Sequence, residues 1–144
     1  MQSFPHVYKV NAKGGPERPV KLSGEGVSDM ETMPPPEFGG PGGYWSPESL
    51  LVASIVDCFI MSFRAIAKAS KLDWNKLECE AEGTLEAPDR VMRFTGFSIR
   101  AKLEVAESTR VELAEKLLHK AEATCLVTNS MTADVVLETE VVAG

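Results

Sequence analysis

The side chains of this 144-residue chain best suited to nucleophilic, redox or metal chemistry are three cysteines, Cys58, Cys79 and Cys125, and two histidines, His6 and His119. Their spacing excludes most of that chemistry. Neither histidine stands at ligand spacing from a cysteine or from the other histidine, so no zinc site of the usual kinds is expected and no metal or cofactor is implied. His119 follows Glu115 by four residues, the spacing of an ordinary ion pair on a helix surface. The run Gly39-Gly40-Pro41-Gly42-Gly43 lacks the Gly-Lys-Ser/Thr ending of a phosphate-binding loop and reads as a connection, and there is no Gly-x-Ser-x-Gly elbow. What remains is thiol chemistry. An odd number of cysteines cannot all pair internally, and no secretory leader pattern opens the sequence, so a reducing, cytoplasmic setting is expected.

Each thiol has a different local setting. Ser46-Pro47 reads as an N-cap followed by proline at the first helical position, and a long helix is predicted from there to about Ser70. At about 100° per residue, Val52, Val56, Phe59, Ile60, Phe63, Ile66 and Ala67 share an apolar side. Asp57, Arg64, Lys68 and Lys71 cluster near the other, with Ser54 beside them. Cys58 falls on the margin, next to Ser54 and Ser62. Two readings stay open for it: a reactive thiol near polar groups, or a small core residue. Cys125 extends the apolar stripe of a second predicted helix. Cys79 lies mid-strand on an inward face between Glu78 and Glu80, whose charges disfavour a thiolate, so it reads as structural.

The elements that must position these residues follow from periodicity. Phe4 to Val10 alternates apolar and polar residues and predicts a strand, able to form a hairpin with Val20–Leu22 across Gly14-Gly15-Pro16. A further strand is possible around Gly26–Thr32, before the proline- and glycine-rich loop of residues 34–43. After the long helix, Leu77, Cys79, Ala81, Gly83 and Leu85 share one strand face. Phe97, Ile99, Ala101, Leu103 and Val105 share another, with a bulge expected at Gly96. Thr109 and Glu112 form a candidate capping box for the second helix, whose apolar positions are Val111, Ala114, Leu117, Leu118 and Ala121. Val135–Val142 is the last strand. Strands and helices in blocks predict an α+β fold, one domain over residues 1–144. The net charge of −6 argues against nucleic acid or an anionic membrane as partner. Leu50–Ala69 is long enough to span a bilayer, but Asp57, Arg64 and Lys68 favour a buried core helix instead.

Ser46-Pro47-Glu48-Ser49-Leu50-Leu51, a cysteine ten residues past that glutamate, and Cys125-Leu126-Val127-Thr128-Asn129-Ser130 after an amphipathic helix together resemble the OsmC/Ohr family of osmotically inducible and organic hydroperoxide resistance proteins. The resemblance covers most of the chain. It implies an OsmC-like fold, an intertwined homodimer with antiparallel sheets wrapped around central helices, and a thiol peroxidase site at the subunit interface. Carried over by position, Cys58 matches the peroxidatic cysteine, Cys125 the resolving cysteine and Glu48 the glutamate that holds an arginine, for which Arg18 is the candidate. The family usually places that arginine directly after a glycine pair, whereas here Pro16 and Glu17 intervene; its common proline after the second cysteine is Leu126; and Asp57 adds a carboxylate beside Cys58 that would raise the thiol pKa.

The implied reaction oxidises the Cys58 thiolate with an organic hydroperoxide, condenses the sulfenic acid with Cys125, and is reset by an external dithiol from a lipoylated or thioredoxin-like protein. A free thiol with pKa about 8.5 is only a few per cent ionised at neutral pH, and lowering it to about 6 takes roughly 3.4 kcal/mol. An exposed ion pair supplies at most about 1 kcal/mol. This requires an arginine partly buried against Cys58, itself held by a carboxylate such as Glu48. Glu48 and Cys58 lie about 15 Å apart along one helix axis, so a shared site needs a break in the helix or Glu48 from a partner subunit. Apolar Phe59, Met61 and Phe63, with Tyr44 and Trp45, suit an organic substrate. The alternatives are a non-catalytic dimer binding a small hydrophobic ligand, and a purely structural dimerisation domain.

Overall fold

The computed structural model describes residues 1–144, which divide into two compact units, Met1–Leu50 and Leu51–Gly144. In the first, strands β1 (Asn11–Lys13), β2 (Val20–Ser23) and β3 (Met30–Thr32) form an antiparallel sheet in that order. The expected hairpin is present, but its first arm is β1, paired Asn11 to Ser23 and Lys13 to Lys21. The alternating segment Phe4–Val10 forms no strand, and Tyr8 and Val10 stand exposed. Alternation alone does not make a strand: its amides need a neighbouring strand to satisfy them, and none pairs with this segment.

The proline- and glycine-rich loop is ordered. A 3₁₀ turn over Pro36–Phe38 ends at Gly39 in the left-handed region (φ 83°). The Met33 N–H then donates to the Trp45 carbonyl at 3.1 Å, drawing the two ends of the loop together. Gly40 is fixed by sterics, since a Cβ there would lie 1.7 Å from the Pro34 carbonyl oxygen.

Helix α1 runs unbroken over Pro47–Ala69. Its start is capped reciprocally: the Ser49 N–H donates to Ser46 Oγ at 3.1 Å and the Ser46 N–H to Ser49 Oγ at 2.9 Å, satisfying amides that have no partner inside the helix.

The second unit holds β4 (Trp74–Glu86), β5 (Arg93–Val105), α2 (Val111–Thr124), α3 (Leu126–Asn129) and β6 (Asp134–Ala143). β4 and β5 pair antiparallel, with a register shift between Thr84 and Leu85 that leaves Thr95 as the extra residue, next to the expected position at Gly96. β6 pairs with β5 in parallel, so this sheet is mixed and not purely antiparallel as expected. The helical crossover through α2 and α3 carries the chain back along the sheet, which a tight turn could not do.

The core of this unit joins Ile55, Phe59, Phe63 and Ala67 of α1 to Phe97, Ile99, Ala101, Leu103 and Val105 of β5 and to Ala114, Leu117, Leu118 and Ala121 of α2. Those α1 residues are spaced by four, giving one stripe down the helix. They are also the only fully buried residues of α1. Val56 and Ile60, expected on the buried side, are half-covered, and Met61 is 54% exposed. The expectation of a buried core helix therefore holds for one stripe only. By length and composition α1 would pass for a membrane span.

Two smaller expectations change. Helix α2 begins after Arg110 with no side-chain cap, because the Thr109 hydroxyl donates to the Asp73 carbonyl at 3.0 Å; that bond to a distant loop replaces the capping box. Glu115 and His119 form no ion pair. The charged pairs of this unit are Lys76–Glu78 and Arg100–Glu138, and an exposed i,i+4 pair gains too little to fix two side chains.

Candidate functional site

Cys58 sits midway along α1, half-buried, just off the stripe that packs into the core. Cys125 occupies the junction of α2 and α3 and is 1% exposed. It ends α2 and starts α3 in an extended conformation (φ −65°, ψ 116°), and the first-turn amides of α3, like those of any helix, have no intrahelical partner. Those amides meet sulfur. Burial pushes the Cys58 thiol up, but the Val127 N–H, the Cys125 thiol, the Ser62 hydroxyl and the Leu126 N–H all donate to it, and the balance is down. Cys125 goes the other way. Its burial is the largest influence, the neighbouring Cys58 adds to it, and the Thr128 N–H and hydroxyl and the Val127 N–H only partly offset them, so its thiol is pushed up.

The arrangement is asymmetric in a chemically useful sense. Two free thiols face each other; one is biased towards the thiolate, and the other is held protonated and donates to it. A thiolate is the nucleophile toward a peroxide oxygen or a disulfide sulfur. Within this unit the bias comes from N–H, S–H and O–H donors, which stabilise an anion directly; the expected cation, Arg18, belongs to the first unit. Asp57 is exposed, and its added carboxylate does not prevent the net lowering.

Cys79 is half-buried on β4 and its thiol is pushed from 9.0 up to about 11 by burial. The expected cause was its flanking carboxylates, but Glu78 and Glu80 stand exposed on the opposite face, as strand alternation requires.

The remaining two site candidates belong to the first unit. Arg18 and Glu48 line one cavity of about 420 Å³, together with Met33, Pro34, Pro35 and Phe38. Arg18 is exposed, and no ion pair joins it to Glu48, whose Oε1 is buried with no hydrogen-bond partner. A carboxylate oxygen removed from water without a donor costs free energy, so this position favours an arriving cation. The structure thus brings Cys58 and Cys125 together in one unit and sets Arg18 and Glu48 on a common cavity in the other.

Sequence reasoning placed the cysteines but missed the amides of Leu126 and Val127, because a four-residue helix carries too little periodicity to be seen. The available signal was Cys125-Leu126-Val127-Thr128: a buried residue directly after a helix, followed by a threonine whose hydroxyl donates back to the Cys125 carbonyl at 3.1 Å.

Comparison with known proteins agrees with this architecture. The family of OsmC-like proteins matches residues 40–140, well over half of the chain, and the protein belongs to it. An OsmC-like protein of unknown function from Vibrio cholerae superposes with a TM-score of 0.86 at 18% identity, covering 94% of this chain and all (100%) of its own. An organic hydroperoxide resistance protein OsmC from Legionella pneumophila superposes at 0.75 with 25% identity over 97% of this chain and 99% of its own. The uncharacterized protein YmaD of Bacillus subtilis is 28% identical over 109 residues, 74% of this chain and 73% of its own. The fold is α+β and OsmC-like.

Proposed function

We propose that the protein is a cytoplasmic thiol peroxidase for organic hydroperoxides, its two units serving one OsmC-like domain. The observation that carries this reading is the facing pair of unequal thiols, Cys58 biased down and Cys125 biased up. The name of the Legionella relative, an organic hydroperoxide resistance protein, supports the same chemistry. The Cys58 thiolate attacks one oxygen of ROOH; the O–O bond breaks, ROH leaves after taking a proton, and Cys58 becomes a sulfenic acid. The Cys125 thiol then attacks that sulfur, forming a disulfide and releasing water. A dithiol, from a lipoylated or thioredoxin-like protein, returns both cysteines to thiols and is itself oxidised to a disulfide.

Arg18 and Glu48 complete the site in this reading, Glu48 holding Arg18 near the thiolate. Because α1 is unbroken, Glu48 and Cys58 stay about 15 Å apart along it, and Glu48 reaches a given Cys58 from the partner subunit of a homodimer. The apolar surface that α1 leaves uncovered, half-buried Val56 and Ile60 beside the core stripe and exposed Met61 further round the helix, supports burial against a second copy. The test is to treat reduced protein with one equivalent of cumene hydroperoxide, quench with an alkylating agent and map the cysteines. A Cys58–Cys125 disulfide with Cys79 alkylated supports the reading; three alkylated thiols and intact peroxide would sink it.

A second reading rests on the cavity of about 420 Å³ in the first unit, whose walls include Met33, Pro34, Pro35 and Phe38: a non-catalytic dimer that holds a small hydrophobic ligand there. It predicts ligand binding unaffected by Cys58→Ser.

A further inference from the structure

Ser62 lies one helical turn after Cys58, and its Oγ stands 3.9 Å from the Cys58 Sγ. A serine inside a helix ordinarily donates to the carbonyl three or four residues back. Every other helical hydroxyl in this chain does so: Ser49 to Ser46, Ser54 to Leu51, Thr124 to Lys120 and Thr128 to Cys125. Ser62 alone forgoes that carbonyl and has the sulfur as its hydrogen-bond partner. Ser54, on the same margin of α1 and one turn before Cys58, is spent on Leu51 at 2.7 Å.

We propose that the Ser62 hydroxyl is a dedicated donor to the Cys58 sulfur, holding it as the anion that attacks. The inference rests on the peroxidase reading for its biological use, but the hydrogen bond stands apart from it. A hydroxyl can both donate and accept: facing a thiolate it can only donate, and facing a thiol it can accept, so it serves the anion without obstructing the protonated state. The direction of the Cys58 shift, to which this hydroxyl contributes, agrees. The titratable group meeting the sulfur from the α2–α3 junction is Cys125; on α1, Asp57 and Arg64 are exposed.

The test measures the rate of iodoacetamide alkylation of Cys58 against pH in the full-length reduced protein, read from the mass of the Cys58 peptide. Ser62→Ala should slow alkylation near neutral pH about three- to fivefold, and leave the rate on the alkaline plateau unchanged. Ser62→Thr, which keeps the hydroxyl, should restore the neutral rate. A change in access to the thiol would slow both limbs equally. An Ser62→Ala profile that superimposes on the parent, or that falls equally at all pH values, overturns the proposal, as does an Ser62→Thr profile matching Ser62→Ala. No peroxide enters the assay, so a protein that fails to turn over hydroperoxide would refute the peroxidase reading and leave this result standing.

Discussion

Replacing Leu126 by proline removes one donor from Cys58 while leaving the helix that carries it intact. Leu126 is the first residue of α3, and its side chain is 71% exposed, so truncating it sacrifices little packing. Proline is favoured at a first helical position, where its missing N–H has no intrahelical partner. The residue before it must be extended, and Cys125 already is, at φ −65° and ψ 116°. The donor lost is the Leu126 N–H, the smallest of the influences that lower the Cys58 thiol. A hydrogen bond to a charged acceptor contributes about 1.5–3 kcal/mol; with water able to replace it at a half-exposed sulfur, and as the weakest of the donors there, about 0.5 kcal/mol remains. That corresponds to roughly a twofold fall in thiolate population at neutral pH. Proline also restricts the unfolded chain, which stabilises the fold by about 0.4–1 kcal/mol. Leu126→Pro should therefore slow iodoacetamide alkylation of Cys58 at pH 7 about twofold, less than Ser62→Ala does, and leave the melting temperature unchanged or raised. Unchanged alkylation, or a loss of stability above about 1 kcal/mol, would refute the account of how these amides act.

Three other outcomes follow from the packing and the pKa shifts. A Cβ at Gly83 would lie 2.9 Å from both the Phe97 ring and the Val52 side chain, so Gly83→Val should cost about 1–3 kcal/mol in a denaturant melt; an unchanged midpoint would contradict the close approach of α1 to β4. Ser46→Ala removes the oxygen that accepts the Ser49 N–H at 3.1 Å and should cost about 1 kcal/mol, seen as a fall in melting temperature without loss of helical signal. Burial raises the Cys79 thiol from 9.0 to about 11, so the stability it contributes is complete below pH 9 and is lost as pH rises through 11. Two units correspond to about 2.7 kcal/mol, which partial exposure reduces to roughly 1. Cys79→Ala should reduce by that amount the loss of unfolding free energy between pH 9 and 11, read from denaturant melts, and equal slopes would contradict it.

The long helix and its cap were legible because local chemistry decided them: Ser46-Pro47 ends one conformation and starts another, and Phe59, Phe63 and Ala67 repeat at helical spacing. The second sheet was legible for a similar reason, since Phe97 to Val105 alternates and is buried accordingly. Phe4–Val10 misled because strand pairing depends on a neighbour that no local pattern specifies. Thr109 misled because its hydroxyl had two possible partners, and Asp73, distant in sequence, took it. At the site, periodicity could set Cys58 on the margin of α1 and Cys125 at the end of α2. That the two thiols face each other is a tertiary fact, reached from the sequence only through the family resemblance. The donors from the start of α3 were invisible, since backbone amides carry no sequence signature of their own.

Reduction of an organic hydroperoxide by Cys58 is read by following the loss of cumene hydroperoxide under excess dithiol, with the parent protein beside Cys58→Ser and Cys125→Ser. The parent should turn over steadily, Cys58→Ser not above background, and Cys125→Ser should give a single turnover that leaves Cys58 as a sulfenic acid unless the dithiol reduces it directly. No peroxide loss with the parent, or turnover that survives Cys58→Ser, would contradict that role for Cys58.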